Sequence, residues 1–210
     1  MIRIFGLTTL LLAAGLLGKA QTITAITVHN SPKASLTVNL VQDNVMIQLR
    51  ANGKIRLVSD SDNDTDYGTA ANGSYVQGKI TALGDTRVEY YSPAEGADVE
   101  GKIKAIGKLT VTYFTRFDGF DNIGKVRSIG NVSFKYIDRF DGFDNQGKLK
   151  AVGDIPIVYC DRFDLTETLG KVKSVGQTKI SYYDRFDDKG LLGKVKSVSG
   201  STPEVEVFID

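Results

Sequence analysis

The fold of this chain is decided by one stretch, GKVRSIGNVSFKYIDRFDGFDNQ at residues 124–146, because related versions of it recur along the sequence. Its opening Gly-Lys pair returns every 23 residues, which is typical of a tandem array whose units pack against their neighbours. A further pair, Gly53-Lys54, lies 25 residues before the first regular pair and marks an irregular first unit. The regular pairs are Gly78-Lys79, Gly101-Lys102, Gly124-Lys125, Gly147-Lys148, Gly170-Lys171 and Gly193-Lys194.

Each unit reads as two β-strands around a turn. In the unit quoted above, residues 125–129 and 132–137 flank Gly130-Asn131, and the second run alternates apolar and polar residues as a half-buried strand does. Glycine at the first central position of a two-residue turn accepts the positive φ of a primed hairpin turn. Pairing outward from this turn places three pairs of residues opposite each other: Ile129 with Val132, Arg127 with Phe134, and Lys125 with Tyr136.

The sequence therefore predicts an all-β protein made of tandem antiparallel β-hairpins that form a meander sheet or a closed, barrel-like array. A β-solenoid with one unit per coil is the alternative. A solenoid would stack identical columns, Asp on Asp and Arg on Arg, which costs free energy unless neighbouring charges or ions offset it. The hairpin array is the favoured interpretation.

The chain divides into four segments in this interpretation. Residues 1–20 form a signal peptide, residues 21–77 an N-terminal β cap with the irregular first unit, residues 78–200 the 23-residue hairpin repeats, and residues 201–210 a closing strand. A group of strands outside the repeat suits the cap that an array needs at its end.

The N-terminus has the pattern of a secretory signal. Arg3 is followed by an uncharged apolar run from Ile4 to Leu17, and Gly18-Lys19-Ala20 offers the small residues that precede a cleavage site. We expect a signal helix that is cleaved after Ala20, and therefore an exported protein of the periplasm, the cell surface or the extracellular space. The mature chain is expected to be soluble, without a membrane span.

Composition narrows the function. There are 26 Lys and Arg against 25 Asp and Glu and no basic block, so nucleic acid is not an expected partner. Only one His and one Cys are present, which leaves no histidine-rich zinc site, no internal disulfide and no recognisable catalytic triad. Carboxylates are plentiful but recur in every unit, whereas a catalytic pair usually occurs once. We expect a protein that is not an enzyme.

An Arg-Phe-Asp column is the most distinctive chemistry of the repeat, and it is the predicted ligand-binding surface. Guanidinium, ring and carboxylate at a fixed period could bind a repetitive polymer such as a glycan. The structural alternative is that Arg139 and Asp141 tie neighbouring units together while Phe140 fills the seam. The column comprises Arg116, Phe117, Asp118, Arg139, Phe140, Asp141, Arg162, Phe163, Asp164, Arg185, Phe186 and Asp187.

One acidic segment is a candidate metal site. Asp60, Asp62, Asp64 and Asp66 alternate with other residues, and carboxylate oxygens at that spacing are the ligands of a Ca²⁺ loop. The segment lacks the glycine and the final glutamate of an EF-hand loop. A solvated acidic loop is therefore the favoured interpretation, Ca²⁺ is the alternative, and no other cofactor is expected.

The repeat resembles two known groups. The Tyr-Tyr-Asp-Arg-Phe-Asp motif at residues 182–187 and the Gly-Lys-Val-Lys-Ser-Val-Gly motif at residues 170–176 resemble exported repeat proteins of Bacteroidetes-type bacteria, a group with no established activity. The period and the hairpins are also similar to MORN-type repeats, although the Trp of those repeats is missing here. The first resemblance implies an envelope location.

These observations favour a non-enzymatic exported envelope protein that offers a repeat-built binding or scaffolding surface to a glycan, the cell wall or a protein. Two alternatives stay open, a small outer-membrane β-barrel and a Ca²⁺-stabilised structural module. The barrel is disfavoured because the first strand of each unit is short for a membrane-spanning strand.

Overall fold

The computed structural model describes residues 23–31, 34–42, 45–59 and 65–209. The predicted signal peptide and three of the four candidate Ca²⁺ ligands, Asp60, Asp62 and Asp64, lie outside these residues. Within the described ranges, no helix is long and apolar enough to cross a membrane.

The first sheet has five strands and combines the two ends of the described chain. The strands are β1 (Ile23–Ser31), β2 (Ala34–Gln42), β3 (Val45–Arg50), β4 (Ile55–Ser59) and β17 (Glu206–Ile209). Their order in the sheet is β17-β1-β2-β3-β4; β17 runs parallel to β1, and the other neighbours are antiparallel. The predicted closing strand at the C-terminal end therefore extends the N-terminal sheet.

The second sheet contains the repeats. Its twelve strands follow one another from β5 to β16 in chain order, each antiparallel to the next. The strands are β5 (Thr65–Tyr67), β6 (Ile80–Leu83), β7 (Thr86–Tyr90), β8 (Ile103–Ile106), β9 (Leu109–Tyr113), β10 (Val126–Ile129), β11 (Val132–Tyr136), β12 (Leu149–Val152), β13 (Ile155–Tyr159), β14 (Val172–Val175), β15 (Thr178–Tyr182) and β16 (Val195–Ser199). Short 3-10 helices lie at Ala70–Asn72, Pro93–Glu95, Arg116–Asp118 and Lys189–Leu191.

The predicted all-β hairpin meander is confirmed, and the sheet is open. Ile129 faces Val132 across Gly130-Asn131, as the turn pattern predicts. The first turn glycine has a φ of 53° to 56° in every hairpin from Gly84 to Gly176, as a primed turn requires. The closed form of the array is wrong, because β5 and β16 are the two edges of the sheet. The solenoid alternative is also wrong, since neighbouring strands are antiparallel.

A β-bulge changes which residues of the first strand face the core. The pairing of β10 with β9 shifts between Val126 and Ser128, so that Val126 is fully buried together with Ile129. The strict alternation expected from the sequence would have placed Val126 on the opposite face and Arg127 beside the core aromatics. Arg127 lies in solvent instead, because the extra residue of a bulge reverses the direction of the side chains that follow it.

The core lies between the two sheets. Ile26, Val38 and Leu49 from the five-stranded sheet belong to the same buried cluster as Phe134 and Leu149 from the repeats. Removing this apolar surface from water is the main stabilising contribution available to a chain without a disulfide.

Backbone contacts join the two sheets at one end of the core. Leu149 N–H donates to the carbonyl of Ala51, with a nitrogen–oxygen distance of 2.8 Å. Gly53 stands so close to the repeats that a Cβ added there would lie 2.8 Å from Cβ of Lys125. A side chain at Gly53 would push the sheets apart, so the close approach requires glycine.

Candidate functional site

Six loops of one design connect the hairpins, and we call them the corner loops. Two backbone hydrogen bonds close each loop at its base; in one of them, Phe114 N–H donates to Lys125 O at 2.9 Å and Gly124 N–H donates to Phe114 O at 2.8 Å. Because every second connection of a meander lies at the same end of the strands, the corner loops form a single row. They are residues 68–79, 91–102, 114–125, 137–148, 160–171 and 183–194.

The arginines of the predicted column hold this row together. Arg139 donates from Nε and Nη2 to the carboxylate of Asp121 in the preceding loop, with donor–acceptor distances of 2.6 to 3.0 Å. Paired, two-pronged contacts of this kind fix geometry as well as charge. This part of the structural alternative is confirmed for all four arginines. The pairs are Arg116 with Asp98, Arg139 with Asp121, Arg162 with Asp144, and Arg185 with Glu167.

The aspartates of the column accept hydrogen bonds within their own loops and pair with a basic residue of the following unit. Asp118 accepts hydrogen bonds from the backbone N–H and hydroxyl of Thr115 and pairs with Arg127, nine residues later, at 2.9 Å. The expectation that Asp141 ties neighbouring units together is confirmed, because Asp141, in the unit of residues 124–146, pairs with Lys150 of the following unit. The equivalent pairs are Asp164 with Lys173 and Asp187 with Lys196.

These contacts shift the pKa values of the carboxyl groups downward. Hydrogen bonds from the guanidinium and the backbone N–H of Arg116 lower the pKa of Asp98 to about 2. Hydrogen bonds from Thr115 lower the pKa of Asp118. The pKa values of Asp121, Asp144 and Glu167 are lowered in the same direction, since hydrogen bonds from an arginine favour the charged form of a carboxyl group.

The phenylalanines of the column are exposed. Phe117, Phe140, Phe163 and Phe186 expose 84% to 93% of their surface, so the expectation that Phe140 fills the seam is wrong. Two further rings, Phe120 and Phe143, are 77% and 75% exposed. Six large apolar rings thus project into solvent from one row of loops, and exposed apolar groups gathered in this way mark interaction surfaces.

Pairs of these rings form the walls of two successive grooves. The first groove has a volume of about 600 Å³ and lies between Phe120 and Phe140, over a floor that includes Tyr136. The second has a volume of about 510 Å³ and repeats the arrangement one unit later, between Phe143 and Phe163. Both volumes are in the range of ligand-binding clefts.

The lysines of the Gly-Lys pairs fasten each corner loop to the next. The Lys125 ammonium lies 5.1 Å from the ring centroid of Tyr136 and donates to Asn122 Oδ1 at 2.8 Å and to Gly147 O at 2.9 Å. Gly147 belongs to the following loop. Desolvation by burial lowers the pKa of Lys125. Lys79, Lys148 and Lys171 make the same contact with the glycine of the next unit.

We predict that Lys125→Met lowers the free energy of unfolding by about 1–3 kcal/mol, because Gly147 O and Asn122 Oδ1 lose their shared donor while the apolar stem stays in place. Urea unfolding followed by circular dichroism measures the change. The exposed residue Lys179 provides the control, and Lys179→Met should stay within about 0.5 kcal/mol of the parent chain. Equal losses in the two variants would show that the contact contributes nothing to stability.

The tyrosines that follow the hairpin turns belong to the core. Tyr136 and Tyr182 are buried, and their hydroxyls donate to Val126 O and Val172 O. Burial raises the pKa of Tyr90 in the same column to about 12. Cys160 is buried as well, and desolvation raises the pKa of its thiol, which is the expected behaviour of an apolar filler.

The acidic segment contributes little to the described site. Asp66 lies exposed in β5, opposite Ala82. Among the described residues, no group of three or more His, Cys, Asp or Glu is arranged to hold a metal ion.

Sequence reasoning missed two kinds of residue in the row. It did not assign Phe120 and Phe143 to the candidate site. Each stands in a Gly-Phe-Asp segment that lacks the alternation of a strand, and this pattern could have indicated a phenylalanine in an exposed loop. It also assigned no acidic partner to the arginines. Asp121 and Arg139 lie 18 residues apart in the sequence and come into contact only when the loops stack.

Fold and site together define an open, repeat-built β-meander that presents a periodic row of exposed phenylalanines at one end of its strands. Comparison with family models, with curated proteins and with solved structures gave no match to this chain. The resemblance to exported repeat proteins of Bacteroidetes-type bacteria and to MORN-type repeats stays a prediction.

Proposed function

We propose that this chain is a non-enzymatic, exported envelope protein whose row of corner loops binds a polymeric glycan, either free or in the cell wall. The observation that carries the proposal is the set of six exposed phenylalanines on loops that are fixed by ion pairs and backbone hydrogen bonds. The rings contribute little to the core, while their positions are held by contacts in every unit. Rigid, exposed rings of this kind are suited to binding.

The period of the row supports a repetitive partner. Each unit contributes two strands, and neighbouring strands lie about 4.7–4.9 Å apart, so equivalent rings recur at about 10 Å. A linear glycan presents equivalent sugar faces at regular intervals and can place them against successive rings. Phe120 with Phe140, and Phe143 with Phe163, offer two such positions in a line.

The charges of the row support an uncharged partner. The carboxylates of Asp121 and Asp144 are already paired with Arg139 and Arg162, so they provide no net attraction for a polyanion or a polycation. Paired guanidinium and carboxylate groups still have free N–H groups and lone pairs at the rim. These groups suit the hydroxyls of a neutral sugar chain.

The test uses the full mature chain and a panel of neutral polysaccharides together with purified cell-wall material. Affinity electrophoresis identifies a ligand, and calorimetry measures its dissociation constant. Because each groove loses one wall, the double variant Phe140→Ala/Phe163→Ala should weaken binding at least about tenfold, the effect of a central aromatic anchor.

The control is Phe208→Ala, the same substitution at a partly exposed ring on β17, outside the row. It should leave binding unchanged. No binding across the panel, or equal binding by the double variant and the parent chain, would contradict the glycan hypothesis. Binding only to a protein component of the wall material would instead assign the row to a protein partner.

A further inference from the structure

A further groove lies on the five-stranded sheet, and Lys148, the last residue of one corner loop, also lines it. The groove has a volume of about 680 Å³. Its polar residues on β1–β4 alternate with buried ones, as the strand period requires, and the buried residues Leu36 and Ala51 also line it. Thr27, Thr37, Asn39, Gln48, Arg50 and Arg56 line this groove.

The arginines of the groove differ from the other arginines of the described chain. Six of the eight described arginines lie within 4.0 Å of a carboxylate: Arg87, Arg116, Arg127, Arg139, Arg162 and Arg185. Arg50 and Arg56 are the other two, and in the part of the chain that the structure describes neither guanidinium has an acidic partner. Neither Asp nor Glu occurs among the described residues that line the groove. Among the described residues, these two guanidiniums without an acidic partner therefore lie in one cleft whose described lining has no carboxylate.

The strand register places these two side chains next to each other. Gln48 pairs with Arg56 across β3 and β4, and Arg50 follows Gln48 by two residues on the same face. Arg50 and Arg56 are thus diagonal neighbours, about 7–8 Å apart along the sheet surface. Long side chains at that separation can converge on one oxyanion, and their forked N–H groups match its oxygens.

A fixed set of amides continues the donor surface. Gln48 Nε2 donates to Asn39 Oδ1 at 3.3 Å, and Asn39 Nδ2 donates to Thr27 Oγ1 at 3.2 Å. This relay orients both amides. Gln48 Nε2 also donates to Met46 Sδ at 3.6 Å, whereas the NH₂ group of Asn39 has a second N–H beyond the one donated to Thr27. Arginine forks beside oriented amides form a surface rich in donors, as recognition of an oxyanion requires.

We propose that this groove binds a phosphate group, held by the guanidiniums of Arg50 and Arg56 with Gln48 and Asn39 beside them. Two adjacent positive charges match the charge of a phosphate better than that of a single carboxylate. The phosphate can be a free ion or the ester of a larger molecule. This site shares Lys148 with one corner loop, but it contains none of the exposed phenylalanines of the row and does not depend on the proposed glycan binding.

The experiment titrates the full mature chain with inorganic phosphate, glycerol phosphate and acetate, with calorimetry and amide chemical shifts as readouts. Saturable binding of phosphate is expected, with shifts confined to β1–β4. Tighter binding of glycerol phosphate than of the free ion would identify an ester as the source of the group. Acetate should bind at least about tenfold more weakly, and equal or tighter binding of acetate would overturn the assignment to phosphate.

Variants separate the groove from general charge effects. Arg50→Gln/Arg56→Gln should weaken phosphate binding at least about tenfold, whereas the charge-matched control Lys108→Gln/Lys179→Gln on the repeat sheet should leave it unchanged. Unfolding midpoints of all chains confirm that each variant is folded. Absence of saturable binding in the parent chain, or equal weakening in both double variants, would overturn the proposal.

Discussion

Phe134→Ala should lower the free energy of unfolding by about 3–5 kcal/mol, whereas Phe140→Ala should change it by less than about 0.5 kcal/mol. The two residues lie six positions apart in the same unit. Phe134 is 1% exposed and belongs to the cluster between the two sheets, so truncation removes buried apolar surface and leaves a cavity. Phe140 is 89% exposed, so the same truncation removes little that packs against the protein.

Equilibrium unfolding in urea, with a common slope checked for all three chains, measures both changes. The pair is a matched control because residue type, substitution and repeat unit are the same. A loss of more than about 1.5 kcal/mol in Phe140→Ala would mean that the exposed ring stabilises its own loop. In that case the row of rings would have a structural role, and the main observation behind the proposed binding surface would be removed.

The architecture could be predicted because its signals are local and repeat. The turn glycine, the alternation from Val132 to Tyr136 and the constant period each favour the same hairpin, so agreement among them was enough for the meander. Two features depend on nonlocal pairing and could not be predicted. The bulge at Val126 arises in the pairing with the preceding unit, and the parallel pairing of β17 with β1 joins segments from opposite ends of the chain.

The candidate site was predicted in position but not in the roles of its residues. The Arg-Phe-Asp column does mark the loops that form the row, since the period singles it out. Its three members act differently: Arg139 pairs with the preceding corner loop, Asp141 pairs with Lys150 at the start of the following unit, and Phe140 is exposed. The sequence repeat marks the Arg, Phe and Asp positions equally. Which of them is buried, and which residue each one contacts, is determined only when the loops stack.

These separate roles of the polar residues and the phenylalanines explain how a loop can expose large apolar rings and still keep one conformation. In an ordinary loop a phenylalanine is held by burial, which would hide it from a ligand. Here backbone N–H groups, the carboxylate of Asp118 and the ammonium of Lys125 fix the chain on either side of the ring. Polar contacts stabilise the loop, and the aromatic surface stays accessible.

The second large effect expected is a loss of stability in acid. Nine described carboxyl groups have pKa values lowered by hydrogen bonds and ion pairs within the row: Glu95, Asp98, Asp118, Asp121, Asp141, Asp144, Asp164, Glu167 and Asp187. In the unfolded chain these groups titrate near pH 4, so in the window below it the unfolded state binds more protons than the folded state. Their contribution is complete above about pH 5 and is lost as the pH falls through the folded values, which for Asp98 is about 2.

The urea midpoint should therefore be flat from pH 7 to about pH 5 and fall steeply between pH 4 and pH 2. The arginines that join the loops supply part of this dependence, so Arg116→Gln/Arg139→Gln/Arg162→Gln/Arg185→Gln should be less stable than the parent chain at pH 7 and approach it near pH 2. Glutamine removes the guanidinium charge together with its forked N–H donors, so the difference between the two curves measures the whole arginine–carboxylate contact. A variant curve that runs parallel to the parent curve over the whole range would mean that the seam contributes no charge-dependent stability. The row would then be held by its backbone hydrogen bonds and lysines alone.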